Sequence, residues 1–197
     1  AAMEATIANT VETGETVVVG VIGYFGKRLV DMCGRYGANV VEVSAPWGEA
    51  LSLETLTQAV EQHKPAVLAL VHAETSTGVL QPLDGIGDLC RANDCLLLLD
   101  TVTSLGGVPL KLDEAKVDLA YSCSQKGLSC PPGLGPFTMG PRAEAKLDRR
   151  TTKVPNWYLD MSGLKSYWGS QRTYHHTAPV YKNFALREAL RLHCDDR

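Results

Sequence analysis

The stretch CLLLLD, residues 95–100, places four consecutive leucines between a cysteine and an aspartate. The stretch AVLALVH, residues 66–72, is also apolar without alternation. A strand with apolar residues at successive positions is buried on both faces, which is typical of a parallel sheet covered by helices. The two stretches therefore predict an α/β protein of three layers, with a mostly parallel sheet between helices on both faces.

Strand and helix patterns alternate along the rest of the chain. Further strands are predicted at 16–21, 39–44, 118–124 and 135–140, and a turn or short helix at 113–117. Helices are predicted at 1–11, 25–37, 52–63, 83–94, 142–150 and 183–193, with Ser52 as the N-cap of the third. This order favours a doubly wound sheet.

The composition limits the classes of partner. The chain has 197 residues, and its length fits one globular domain or one domain with a piece of a second. The formal net charge is −3 and no basic patch is interleaved with aromatic residues, so we expect no nucleic-acid partner. The apolar runs are far shorter than the roughly 20 residues that span a bilayer, so we expect no membrane association.

The cysteines show no pattern of a metal site. None of the six is part of a CxxC pair, and His175 and His176 do not follow them at zinc-finger spacing. We therefore expect reduced and mostly buried thiols, and no metal.

Ligands of an open parallel sheet bind beyond the carboxyl ends of its strands. Asp100 ends CLLLLD, and a carboxylate at the edge of a core needs a hydrogen-bonding or cationic partner. Two interpretations remain open for it, a cap on the following segment or a partner for the protonated ring nitrogen of a cofactor. Lys126 follows a strand in AYSCSQKGLSCPPG, residues 120–133, and is either an exposed loop lysine or a partly desolvated nucleophile. A lysine and an acid so placed suit pyridoxal phosphate.

Other α/β enzymes fit less well. No G-x-G-x-x-G follows the first strand, as a dinucleotide-binding fold requires, and no G-x-S-x-G marks a hydrolase. Tyr121 and Lys126 are five residues apart, not the four of a Tyr-x-x-x-Lys pair.

Four motifs together resemble one family. HAETSTGVLQPLDG (72–85), LLLLDTVTSLGGVPL (96–110), YSCSQKGLSCPPG (121–133) and TYHHTAPV (173–180) resemble the alanine–glyoxylate, or serine–pyruvate, aminotransferases. These are class V, fold-type I pyridoxal-phosphate enzymes, and the insect 3-hydroxykynurenine transaminases share the pattern. The similarity runs in order along nearly the whole chain.

The resemblance implies roles around the cofactor ring. Lys126 would hold the cofactor as an internal aldimine and act as the base in the proton shift, and Asp100 would pair with the ring nitrogen. Thr75 would donate to the phenolic oxygen. Phe25 would stack over the ring, where the family usually has tryptophan, and Val102 would pack on the opposite face. Without the resemblance, Phe25 and Val102 are ordinary core residues.

The resemblance also implies a shared phosphate site. Gln125 would bind the cofactor phosphate, and Tyr174 and Thr177 would reach the phosphate of the neighbouring subunit of a homodimer. By their spacing alone, the last two residues could equally lie on a loop surface.

The resemblance further implies a domain division. Residues 1–182 would form the cofactor-binding large domain without its glycine-rich phosphate loop, and residues 183–197 would begin the helix that leads to a C-terminal small domain. We expect a fragment without the N-terminal segment and small domain, and therefore weak cofactor binding and slow turnover. The family's compartments make the peroxisome or mitochondrion the first expectation and the cytosol the alternative.

The implied activity is transfer of an amino group from alanine or serine to glyoxylate or another 2-oxo acid. One alternative is an inactive remnant that binds cofactor or dimerises. A second alternative, a cysteine desulfurase-type lyase, is less well supported, because that class has a histidine directly before the lysine, where this chain has Gln125.

Overall fold

The computed structural model describes residues 1–195, which form seven helices and eight strands. The helices are α1 (Ala2–Thr10), α2 (Tyr24–Arg35), α3 (Leu53–His63), α4 (Ile86–Ala92), α5 (Pro141–Asp148), α6 (Met161–Trp168) and α7 (Val180–Asp195). The strands are β1 (Thr16–Val21), β2 (Asn39–Ser44), β3 (Val67–Val71), β4 (Ala73–Glu74), β5 (Val79–Leu80), β6 (Leu96–Asp100), β7 (Leu119–Tyr121) and β8 (Phe137–Met139).

Six strands form one sheet in the order β2-β1-β3-β6-β7-β8. All neighbouring pairs are parallel except β7 and β8, which are antiparallel. The remaining two strands, β4 and β5, form a separate antiparallel hairpin directly after β3. The predicted α/β class with a mostly parallel sheet is confirmed.

Helices cover both faces of this sheet. Val17 and Val19 of β1 point into one core together with Leu29 of α2, whereas Val18 points into the other core together with Leu56 of α3. All five side chains are fully buried, and complete burial of a valine or leucine is worth about 1.5–3 kcal/mol. The unbroken apolar runs of the sequence are explained by these two cores.

Several predicted bounds differ from the structure. The fourth helix begins at Ile86 instead of residue 83, because Gly85 takes a left-handed conformation with φ of +78°. The strand predicted at 118–124 is regular only to Tyr121. The segment at 113–117 is a turn, one of the two forms predicted for it. The helix α6 and the hairpin of β4 and β5 were not predicted.

Other local predictions are confirmed. The strands β1 and β2 have the predicted bounds. The hydroxyl oxygen of Ser52 accepts a hydrogen bond from the Thr55 amide at 3.1 Å, as an N-cap does. The final helix begins at Val180, three residues before its predicted start, and residues 196 and 197 of the predicted terminal segment lie outside the described part of the chain. No helix among residues 1–195 has the length and apolar character to cross a bilayer.

All six cysteines are free thiols, and four of them are buried. Burial raises the pKa of Cys33 to about 12, so this thiol stays protonated at neutral pH. The predicted burial of most of the thiols is confirmed, and their reduced state stays a prediction.

Candidate active site

A cleft of about 470 Å³ opens where β3, β6 and β7 end. The last residues of these strands, Val71, Asp100 and Tyr121, lie in its wall. The first residues of α1 and the first turns of α2 complete the cleft. Six of the eight sequence-predicted site residues line it: Phe25, Thr75, Asp100, Val102, Gln125 and Lys126.

Asp100 is the buried acid of the cleft and is only 3% exposed. Its Oδ1 accepts a hydrogen bond from the Val102 amide at 2.8 Å, and its Oδ2 accepts one from the Tyr121 hydroxyl at 2.6 Å. Asp100 therefore does cap the turn that follows β6, and it also faces the cleft. The two open interpretations of this residue are compatible.

The pKa of Asp100 is raised from its ordinary value, chiefly because burial disfavours the charged carboxylate. The hydrogen bonds from Tyr121 and Val102 act in the opposite direction. The carboxylate of Glu74 raises this pKa further, and the guanidinium of Arg28 lowers it. Burial outweighs the hydrogen bonds, so the net change in the pKa of Asp100 is upward.

Lys126 lies exposed in the loop between β7 and β8. Ser124 fixes this loop, because its hydroxyl donates to the Pro131 carbonyl at 2.7 Å and its amide donates to the Leu134 carbonyl at 3.0 Å. The Lys126 carbonyl accepts from the Ser129 amide at 2.8 Å. The Lys126 ammonium makes no ion pair with any residue in 1–195, so it is available to a ligand.

Two glycines bring the loops of Asp100 and Lys126 into backbone contact. A methyl group at Gly127 would overlap the carbonyl oxygen of Leu105 and lie 3.0 Å from Gly106. Gly106 has φ of +79°, a left-handed conformation that other residues rarely adopt. Small residues around the lysine therefore allow close approach of two main chains, a reason the sequence alone did not reveal.

Replacing Gly127 with alanine is expected to separate these loops and weaken the cleft. Because backbone must move to make room, we expect a loss of about 1–3 kcal/mol in the free energy of unfolding. Urea denaturation measures this loss. Gly34→Ala is the matched control, since a methyl group there meets nothing within 4 Å inside α2 and alanine favours a helix by up to about 1 kcal/mol. Equal stability of the two variants would contradict the close-approach argument.

A pair of hydroxyls links two other loops at the cleft. The Oγ1 atoms of Thr75 and Thr103 are 2.6 Å apart, which joins the β4 end to the turn after β6. Thr103 was missed in the sequence. The sequence T-V-T directly after Asp100 places two hydroxyl side chains near the cleft, and this pattern could have predicted a role for Thr103.

The first turn of α2 is held by a buried carboxylate. Glu74 is 1% exposed and accepts hydrogen bonds from the amides of Phe25 at 3.0 Å and Gly26 at 3.2 Å. Negative charge is favourable at a helix N-terminus, where amides lack partners. Glu74 therefore positions the Phe25 backbone, although no local sequence pattern connects residues 49 positions apart.

The Phe25 ring makes a cation–π contact with the guanidinium of Arg28. The Arg28 Cζ lies 4.8 Å from the centre of the Phe25 ring and 5.4 Å from that of Tyr24. Arg28 also lines the cleft and was not predicted from the sequence. Arg28 lies one helical turn after Phe25, and this spacing was the only feature of the sequence that could have predicted its contact with the ring.

Tyr174 and Thr177 do not line this cleft. The Tyr174 hydroxyl lies 2.9 Å from the Thr177 Oγ1, and the Tyr174 side chain is 67% exposed. Their expected role toward a neighbouring subunit stays a prediction.

A mostly parallel sheet with an amine, a buried acid and an aromatic ring at its carboxyl edge is the arrangement that the resemblance to the fold-type I enzymes implies. The aminotransferase class-V family model matches residues 1–195. The chain belongs to the class V aminotransferase family.

Named relatives agree with this membership. The chain is 44% identical over 194 residues to the alanine–glyoxylate aminotransferase of Callithrix jacchus, covering 97% of this chain and 47% of that protein. It is 36% identical over 210 residues to the (S)-ureidoglycine–glyoxylate transaminase of Bacillus subtilis, covering 98% and 50%. The chain thus spans about half the length of the curated relatives it matches.

Solved structures show the same fold. A crystal structure of an alanine–glyoxylate aminotransferase from Nostoc sp. has a TM-score of 0.95 and 68% identity, covering 97% of this chain and 51% of that chain. The resemblance found in the sequence motifs is confirmed, as is the expected large-domain fold. A cysteine desulfurase from Thermococcus onnurineus is only 13% identical, with a TM-score of 0.71, and shares the fold alone.

Proposed function

We propose that this chain supplies the cofactor-binding part of an aminotransferase that uses pyridoxal 5'-phosphate. The observation that carries the proposal is one cleft that contains both Lys126 and Asp100. The Lys126 amine makes no ion pair among residues 1–195, and Asp100 is a buried acid at the end of β6. An amine can hold an aldehyde covalently, and an acid can keep a pyridine nitrogen protonated. When bound, the cofactor supplies an electron sink for the amino acid's α-carbon.

The other groups of the cleft fit the parts of this cofactor. Phe25 and Val102 offer apolar surface for an aromatic ring. The Thr75 hydroxyl can donate to a phenolic oxygen. The amino end of α1 presents backbone amides that have no partner inside the helix, which suits a phosphate, and the Gln125 amide lies in the same wall.

The proposal gives Lys126, Asp100 and Thr75 different roles in the reaction. The Lys126 ammonium would lose a proton before its amine attached the cofactor's aldehyde carbon. Once the amino-acid substrate had displaced it, the free amine would carry a proton from the substrate's α-carbon to that cofactor carbon. Asp100, as a carboxylate, stabilises positive charge at the ring nitrogen. Thr75 orients the phenolic oxygen.

Glyoxylate is the proposed acceptor, with another 2-oxo acid as the wider class, and alanine or serine is the proposed donor. Glyoxylate appears in the names of both the alanine–glyoxylate and the ureidoglycine–glyoxylate relatives. Those names describe the relatives, and they support the proposal here through family membership.

The proposal includes the division into residues 1–182, the large domain, and 183–197, the start of a helix toward a further domain. It also includes a homodimer in which Tyr174 and Thr177 contact the partner's cofactor. Large aromatic side chains are exposed between residues 157 and 184, and such surface is typical of protein contacts. The proposed compartment is the peroxisome or mitochondrion, with the cytosol as the alternative.

The test uses the purified chain and the longer protein proposed to carry it. Each is mixed with pyridoxal 5'-phosphate and scanned for a visible absorption band, and then given L-alanine and glyoxylate. The expected products are pyruvate and glycine in equal amounts. The absence of a band would contradict the cofactor assignment. A band without amino transfer in either protein would favour the inactive remnant.

A further inference from the structure

We propose that Tyr121 is a positioning residue that fixes the Asp100 carboxylate and favours its ionised form. The inference rests on the proposed function, because it concerns the acid assigned to the cofactor's ring nitrogen. Nothing in the sequence motifs or in the resemblance assigned a role to this tyrosine.

The geometry of the pair is set by the sheet. Asp100 ends β6 and Tyr121 ends β7, and the two residues are direct partners in the parallel register. The Tyr121 hydroxyl donates to Asp100 Oδ2 at 2.6 Å while the Val102 amide donates to Oδ1 at 2.8 Å. Each carboxylate oxygen has its own donor, so rotation of the carboxyl group would break both hydrogen bonds.

Burial makes these hydrogen bonds important. The Asp100 side chain is 3% exposed and Tyr121 is 2% exposed, so water cannot replace a lost donor readily. Burial raises the pKa of Asp100, and the Tyr121 hydrogen bond is the largest influence that lowers it. Without the phenol, the acid would hold its proton to higher pH.

The direction of the hydrogen bond is fixed. The pKa of Tyr121 is raised well above its ordinary value, first by burial and then by the neighbouring carboxylate. The phenol therefore stays protonated and donates at all neutral pH values. The other charged groups facing the pair are Glu74, Arg28 and the Lys126 ammonium of the same cleft. The Cys33 thiol, which is titratable but neutral, lies near the phenol.

A purely structural role for Tyr121 is the competing explanation. Its ring packs in the core with Val71 and Leu119, which a phenylalanine could also do. The Tyr121 carbonyl accepts from the Thr101 hydroxyl at 2.8 Å, a bond that is independent of the side chain at 121. Tyr121→Phe therefore removes the hydroxyl while the strand and the ring packing remain.

The matched control is Tyr36→Phe. The Tyr36 hydroxyl donates to Glu4 Oε1 at 2.9 Å, outside the cleft, so this variant also removes one phenol–carboxylate hydrogen bond. The Asp100 carboxyl is titrated by carbon-13 NMR in the chain without cofactor. We expect the midpoint to rise in Tyr121→Phe and to stay unchanged in Tyr36→Phe. We also expect the cofactor Kd to weaken about tenfold only in Tyr121→Phe.

An unchanged Asp100 midpoint in folded Tyr121→Phe overturns the inference. If that variant does not fold, the wild-type Tyr121 ring carbon bonded to oxygen is followed instead. Its chemical shift must change at the same midpoint as the Asp100 carboxyl, and a flat curve overturns the inference. The titration needs no cofactor. If the Asp100 midpoint shifts in Tyr121→Phe but the wild-type chain does not bind pyridoxal phosphate, the result counts only against the proposed function.

Discussion

Lys126→Ala is expected to abolish covalent attachment of pyridoxal phosphate and to reduce amino transfer by at least about 10³-fold. The variant removes the only amine that we assign to both the attachment and the proton transfer, and a positioned base alone contributes about 10²–10⁴-fold. The measurements are the visible band and, after borohydride reduction, the mass of the peptide that carries residue 126. In the wild type, the added mass is expected on Lys126.

Two further variants make this result specific. Lys126→Arg keeps the positive charge but cannot attach the cofactor, so it should behave like Lys126→Ala. Lys111→Ala removes a lysine that pairs with Glu114 at the surface, where side-chain exposure is 71% for both residues. Such a pair contributes little, so attachment should be unchanged. A full band in Lys126→Ala would contradict the assignment.

Asp100→Asn is expected to lower amino transfer by roughly 10²–10³-fold and yet to stabilise the cofactor-free chain at neutral pH. Loss of one preorganised electrostatic group typically costs that much in rate. The asparagine oxygen can still accept from the Val102 amide, and its amide can donate to the Tyr121 oxygen. The neutral side chain avoids the burial of a charge.

The sign of the stability change follows from the pKa. Because the folded pKa of Asp100 is raised above its unfolded value, the native state binds its proton more tightly than the unfolded state. Wild-type stability therefore falls as the pH rises from the unfolded pKa through the folded pKa. The advantage of Asp100→Asn should appear over this window and vanish at lower pH.

Urea denaturation at a series of pH values measures this difference. Asp31→Asn is the control, because the Asp31 side chain is 64% exposed and pairs with Arg35 of the same helix. Its effect should stay within about 0.5 kcal/mol at every pH. A destabilised Asp100→Asn at neutral pH would show that its hydrogen bonds, and not burial, dominate at this position.

The sequence predicts the sheet well because each strand carries its own signal. The valines of β1 and the leucines of β6 are buried by helices on both faces of the sheet. Their apolar runs predict strands without any knowledge of which helices cover them. Helix α3 is equally local, since Ser52 caps it within three residues. Helix α6 was not predicted, because its eight residues bury only Leu164 and so carry almost no apolar stripe.

The residues of the site likewise divide into those that the sequence places by local position and those that depend on contacts between distant segments. Asp100 ends the strand β6 and Lys126 lies in the loop that follows β7, so position along the chain is enough to place them at one edge of the sheet. Glu74, Thr103 and the Tyr121 hydroxyl act through contacts between distant segments. Those contacts depend on strand order and register, which a single sequence does not specify.

The carboxylate of Glu74 has a consequence for redesign. It holds the main chain at Phe25 through two amides, and no side-chain atom of residue 25 takes part. The backbone at residue 25 is therefore fixed independently of the side chain at that position. Exchange of one aromatic group for another should alter the surface offered to a bound ring without moving Thr75, which lines the same cleft. Residue 25 is therefore a suitable position for changing the ring contacts of this cleft by substitution.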